Sequence, residues 1–157
     1  MMQARAMPWK TILVPHDFSA SANHATAIAR DEAKAHGGKL VLLHVIDLPY
    51  QVGPDSVIVP EDTGTPISLK QYALQSAEAH LQDIADRLAK DGVTATGVVV
   101  LGTPVDEINR AADDQHADLV VMGTHGRTGF RHFVAGSVAE RVVRSSKVPV
   151  LTIRHTE

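Results

Sequence analysis

Leu119-Val120-Val121-Met122-Gly123-Thr124-His125-Gly126-Arg127-Thr128-Gly129 is the stretch on which the fold turns. Its first residues form a short apolar run rich in β-branched side chains, the pattern of a buried strand. The run breaks into a glycine-rich loop, which leads to Gly136-Ser137 and an amphipathic segment from Val138 to Ser146. Val148-Pro149-Val150-Leu151-Thr152-Ile153 follows as a further apolar run. The reading is strand, loop, helix, strand. A loop that leaves a buried strand and feeds a helix N-terminus gathers free backbone N–H groups and the positive end of the helix dipole, which suits phosphate.

The preceding chain repeats the alternation. Residues 10–15 (Lys-Thr-Ile-Leu-Val-Pro) read as a strand stopped by Pro15, followed by the tight connection His16-Asp17-Phe18-Ser19. Ser19 or Ser21 caps a helix that carries Ala22, Ala25, Ile28, Ala29 and Ala33 on one face and ends at Gly37-Gly38. Leu40 to Ile46 is a second continuous apolar run, typical of a parallel strand buried on both faces. Asp47 to Pro66 is dense in proline and glycine and reads as a long lid-like loop without regular structure. A helix is expected from Ser68 to Lys90, with Leu74, Ala77, Leu81, Ile84, Ala85 and Leu88 inward, and a strand from Val93 to Leu101. Thr103 as N-cap, Pro104 in the first turn and Asp106 as an approximate capping box start the next helix, which runs to about His116.

This βαβαβαβαβ order predicts an α/β fold: one doubly wound, five-stranded parallel sheet with helices on both faces. Ligands in such sheets bind at the carboxyl ends of the strands, where strand order reverses. Pro15-His16-Asp17 and Gly123-Thr124-His125-Gly126 both lie at strand ends. They face one crevice if the first and fourth strands are neighbours. Residues 1–9 read as a flexible leader, 10–157 as the single domain, and 47–67 as a loop insertion.

Composition narrows the classes of function. A formal charge of −3 argues against non-specific nucleic-acid binding, and aromatics at 4 % require an aliphatic core. The absence of cysteine removes thiolate chemistry and Cys-based zinc sites. The nine histidines lack ligand spacing, and His44 reads as a hydrogen-bonded core residue. No apolar run nears the ~20 residues of a membrane span, and no secretory signal opens the chain. A cytoplasmic location and no membrane association are therefore expected.

The loop is not a Walker motif, since Gly-Lys-Ser/Thr is missing, and it is not the dinucleotide fingerprint, which follows a first strand with closer glycines. Gly123 and Gly126 are expected to turn with positive φ and to approach an anion closely. Gly136 and Ser137 are expected at the phosphate-binding start of the last helix. Gly123, two residues, Gly126, nine residues, then Gly136-Ser137 resembles the pattern of the ATP-binding branch of the universal stress protein family. Residues 10–19, Leu42-Leu43-His44-Val45, Gly102-Thr103-Pro104 and Val148-Pro149-Val150-Leu151 look like further family segments, so the resemblance spans nearly the whole chain.

The resemblance implies a Rossmann-like, adenine nucleotide alpha hydrolase-like fold binding ATP with Mg²⁺ held through the phosphates rather than by direct protein ligands. Pro15, His16 and Asp17 would line the adenosine end, and the backbone of Leu40 or Val41 would approach adenine. Met122, Gly123 and Thr124 would flank ribose. Gly126, Arg127, Gly129, Gly136, Ser137 and Val138 would surround the phosphates, with Arg127 more a surface charge than a clamp. It also implies a homodimer through the last strand, Val148 to Arg154, and a regulatory protein partner of unknown identity. No general base for water is visible, so no catalytic residue is assigned and little or no turnover is expected. A slow ATPase or nucleotidyl-transfer enzyme, a nucleotide-independent dimeric interaction module and a cyclic-nucleotide binder are the competing readings.

Overall fold

A computed structural model describes residues 8–124 and 137–154. The elements run β1 (Thr11–Pro15), α1 (Ala20–His36), β2 (Lys39–Ile46), β3 (Val57–Ile58), β4 (Ile67–Ser68), α2 (Leu69–Lys90), β5 (Ala95–Leu101), α3 (Pro104–Asp114), β6 (Leu119–Gly123), α4 (Ser137–Ser145) and β7 (Val150–Ile153). The main sheet has five strands in the order β5-β2-β1-β6-β7, all parallel. Strand order therefore reverses between β1 and β6, where Ile12 pairs with Leu119 and Leu13 with Val120.

The unbroken apolar runs follow from burial on both faces. Ile12, Val14, Leu40 and Leu42 turn to one side and pack with Ala25, Ala29 and Ala33 of α1 and Leu81, Ile84 and Leu88 of α2. Leu13, Val41 and Leu43 turn to the other and meet Val105, Ile108 and Ala112 of α3 and Val142 of α4. Alternate residues thus feed two aliphatic layers, as side-chain alternation along a strand demands. The alanine stripe of α1 lets its backbone lie close to the sheet. At the amino end, the Asp118 carboxylate accepts from Lys10 N at 2.9 Å and Thr11 N at 2.8 Å, which ties β1 to the start of β6.

The excursion between β2 and α2 is more ordered than its composition suggests. Val57 pairs with Ser68 and Ile58 with Ile67 in an antiparallel hairpin. Leu69 N donates to Ser56 O (2.7 Å), Lys70 N to Pro54 O (3.1 Å) and Gln71 N to Ser68 Oγ (3.1 Å). Three N–H groups in the first turn of α2 are thereby satisfied, so this segment caps a helix and is not a lid without regular structure. Thr103 holds the N-cap position of α3 but makes no side-chain cap bond, and α3 ends at Asp114, with His116 in the left-handed region at φ +50°.

Ser19, not Ser21, caps α1: its Oγ accepts from Ala22 N at 3.1 Å. Ser19→Ala is expected to cost about 1 kcal/mol. The thermal midpoint should fall by about 2–4 °C, readable by circular dichroism.

Candidate functional site

The carboxyl ends of β1 and β6 are neighbours, and each carries a feature that the local sequence builds. Beyond Pro15, His16 N donates to Leu43 O at 2.7 Å, so the ladder to β2 runs one residue past the strand. The chain then turns sharply. Phe18 N donates to His16 Nδ1 (3.0 Å) and Ser19 N to Asp17 Oδ1 (3.0 Å). Phe18 sits at φ +64°, a left-handed conformation that costs a non-glycine residue about 1–2 kcal/mol. Its ring packs against His44 at 4.5 Å, His80 at 5.1 Å and His16 at 5.3 Å between centroids. His44 donates from Nδ1 to His16 O at 2.7 Å. The hydrogen-bonded role expected of His44 is thus its observed one.

His16 is 3 % exposed and turned into the α1 side of the sheet, with Nε2 at 3.2 Å from Asn23 Oδ1. Because Phe18 N–H is a donor, Nδ1 must be bare and Nε2 carries the proton toward Asn23. Burial pushes the imidazole below its ordinary value of 6.5; the Asn23 hydrogen bond and the Asp17 carboxylate pull upward, and His44 and Arg87 push down. The side chain expected to line the adenosine end is therefore an internal strut of the turn. Asp17, half-buried, is the residue the turn carries at the crevice.

On β6, a Cβ at Gly123 would lie 2.2 Å from Ser21 Oγ and 3.0 Å from the Ser21 carbonyl carbon. The strand end thus presses on the first turn of α1. Gly123 is not among the glycines with positive φ, so the glycine is needed for space and not for an unusual backbone. Ser21 is 4 % exposed, and its Oγ has no hydrogen-bond partner among the described residues. Thr124 N donates to Ile153 O at 3.0 Å, fastening the start of the following loop to β7. The Met122 side chain is 4 % exposed and belongs to the α3 and α4 layer.

α4 returns from the carboxyl end of β6 to the parallel strand β7, so its N-terminus, at Ser137 and Val138, stands at the crevice. Val138 is half-buried against the same layer. Gly126, Arg127, Gly129 and Gly136, with His125, Arg131 and His132, lie outside the described residues.

Leu40 and Val41 do not reach the crevice. They are 0 % and 1 % exposed and pair with Ile12 and Leu13, at the amino end of β2. The carboxyl end of the same strand brings Val45, half-buried, to the rim instead. The sequence does carry a signal for Val45: the end of a parallel strand that faces ligand is its carboxyl end. A separate depression of about 240 Å³ lies among Asn109, Asp113, Ser145 and Lys147, at the far end of the α3 and α4 layer. Of its charged lining, Lys147 pairs with Asp113 at 3.4 Å and Arg110 with Glu107 at 2.9 Å. Among the described residues, no three His, Asp or Glu side chains gather to hold a metal ion, and no helix is long and apolar enough to cross a membrane.

The model of the universal stress protein family matches residues 8–154. The chain belongs to the universal stress protein family. Universal stress protein MJ0577 of Methanocaldococcus jannaschii is 30 % identical, over 93 % of this chain and 95 % of that protein. A universal stress protein of Thermus aquaticus is 33 % identical, over 93 % and 99 %. The solved structure of MJ0577 superposes with a TM-score of 0.79, covering 96 % of this chain and 99 % of the other. A universal stress protein solved in complex with cAMP is 27 % identical with a TM-score of 0.63, covering 94 % and 98 %. The Rossmann-like architecture expected of the family, with its five-stranded parallel sheet, is the one observed.

Proposed function

We propose that this universal stress protein binds an adenine nucleotide, ATP with Mg²⁺, in the crevice between β1 and β6, as a regulatory ligand with little or no turnover. The observation that carries the reading is the convergence at the strand-order reversal. The Asp17 turn, the crowded Gly123 and the N-terminus of α4 meet at one end of the sheet. Pro15, Asp17 and the backbone of Val45 take the nucleoside half, and Met122, Gly123 and Thr124 border ribose through their backbone. Gly126, Gly136, Ser137 and Val138 take the phosphates, where free N–H groups and the helix dipole favour anions. Arg127 and Gly129 complete the loop. Mg²⁺ would travel on the phosphates and offset their charge.

A family relative in complex with cAMP supports an adenine-nucleotide pocket and makes the cyclic nucleotide the competing ligand. Isothermal calorimetry with ATP·Mg²⁺, AMP and cAMP decides between them. The expected result is saturable ATP binding, weaker AMP binding, and ADP release no faster than one turnover over the experiment. Absence of heat at millimolar ATP sinks the reading; tighter binding of cAMP reassigns the ligand, and multiple turnover reassigns the chain as an enzyme.

The dimer is part of the same proposal. β7 pairs only with β6 among the described strands, and Leu151 on it is 38 % exposed. An open apolar edge is stabilised by a second copy of itself. Leu151→Lys is expected to convert a dimer into a monomer in sedimentation velocity. A wild-type monomer at high concentration would remove this part without touching the nucleotide reading.

A further inference from the structure

We propose that His16 is a positioning residue for the nucleotide: its neutral imidazole holds the turn that presents Asp17, and protonating it releases that turn and the ligand. The inference rests on the nucleotide reading above and adds a control to it. The geometry is specific about the tautomer. Nδ1 is already committed as the acceptor for Phe18 N–H at 3.0 Å, and Nε2–H faces Asn23 Oδ1 at 3.2 Å. A second proton has only Nδ1 to go to, and there it would oppose the Phe18 N–H. The bond that would break is the one that holds Phe18 at φ +64°. Asp17 lies between the two bonded residues, so the direction of its carboxylate depends on that closure.

The surroundings bias the imidazole toward the neutral form. Burial is the largest influence. His44 of β2 and the Arg87 guanidinium of α2 act in the same direction, with His80 beyond the Phe18 ring. The Asn23 hydrogen bond from α1 and Asp17 on the turn itself favour the cation without outweighing burial. His16 is 3 % exposed, so a proton on it has little water to share the charge. Burial accordingly holds the group below 6.5. A depressed histidine contributes stability that is full above its unfolded value and is lost as pH falls below that value, through the folded one. The turn is therefore closed at neutral pH and opens on acidification.

The test compares wild type with His16→Asn and His16→Ala. Asparagine at this position places Oδ1 where Nδ1 stands and accepts from the N–H two residues on, an Asx turn that cannot titrate. ATP affinity of the wild type should fall about tenfold per pH unit once the pH passes below the His16 titration, because only the neutral fraction binds. His16→Asn should keep the neutral-pH affinity and lose that component, while His16→Ala should bind weakly at every pH. Protonation of ATP itself is common to wild type and His16→Asn and so cancels. Equal pH profiles for these two overturn the proposal.

NMR of the ligand-free protein supplies an arm independent of nucleotide. The Phe18 and Ser19 amide shifts should follow the His16 ring titration in the wild type and lose that step in His16→Asn. If no nucleotide binds but these shifts track His16, the nucleotide reading fails while the turn switch stands. If ATP binds and the shifts ignore His16, the proposal fails alone.

Discussion

Gly123→Ala is expected to weaken ATP binding at least about tenfold and to destabilise the fold by about 1–3 kcal/mol, the range for forcing an extra carbon into a packed site. The new Cβ meets Ser21 Oγ at 2.2 Å and both the Cβ and the carbonyl carbon of Ser21 at 3.0 Å. Rotating the hydroxyl relieves only the first contact. The carbonyl carbon belongs to the first turn of α1, so either α1 or the end of β6 must move. Both flank the crevice, and one of them follows directly on the Asp17 turn. A small displacement there therefore costs affinity as well as stability.

Ser21→Gly in the same chain removes two of the three close atoms. The double variant should recover part of the lost stability despite the roughly 0.5 kcal/mol that glycine costs a helix relative to serine. The single variants and the double form a mutant cycle in thermal midpoint and in ATP affinity, and the expected coupling is favourable in both. Additive effects would mean that the two residues do not press on one another. A Gly123→Ala protein with wild-type midpoint and affinity would remove the close approach as an explanation for the glycine.

Much of this arrangement is legible in the amino-acid sequence. Both faces of the three central strands are buried, so 10–15, 40–46 and 119–123 appear as continuous apolar runs whose type and order point to a doubly wound sheet. The two strand ends share a crevice only if their strands are neighbours, and the observed order makes β1 and β6 neighbours at the reversal where such sheets bind ligands. What stays hidden depends on contacts between distant residues. Gly123 looks like a flexible turn residue until Ser21, far away in sequence, is found against it. His16 looks like a polar loop side chain because its burial comes from α1 and β2, not from its neighbours in the chain. Two-residue strands such as β3 and β4 carry no periodicity to read, and their partner is the helix end they cap. Motif likeness alone puts Leu40 and Val41 at the ligand, but they sit at the amino end of β2, and Val45 stands near its carboxyl end.

Gly38→Ala is expected to be the most damaging single-methyl change among the described glycines. Its Cβ would lie 2.2 Å from Trp9 O and 3.1 Å from Lys10 O, both backbone atoms that no rotamer can withdraw. Gly38 precedes β2, and the next N–H, that of Lys39, donates to Lys10 O at 2.9 Å to begin the β1–β2 ladder. Parting the two backbones here removes that bond and unseats Trp9, which packs on the α1 and α2 layer and edge-on to His36 at 6.3 Å. The loss should exceed about 3 kcal/mol, a large share of the roughly 5–15 kcal/mol that stabilises a typical domain.

Two other glycines calibrate the result. Gly53→Ala places its Cβ no nearer than 3.8 Å to Ser56 Oγ, and the change should be near neutral. Gly92→Ala meets nothing within 4 Å but sits at φ +83°, so it should cost about 1–2 kcal/mol of backbone strain alone. Urea denaturation followed by the fluorescence of Trp9, the sole tryptophan, reads the affected junction directly. The expected order of midpoints is Gly53→Ala highest, then Gly92→Ala, with Gly38→Ala lowest or insoluble. If Gly38→Ala unfolds no earlier than Gly92→Ala, the first rung between β1 and β2 can yield without loss. The strand pair that delivers the Asp17 turn would then be anchored at its carboxyl end, through His16 N to Leu43 O and His44 to His16 O.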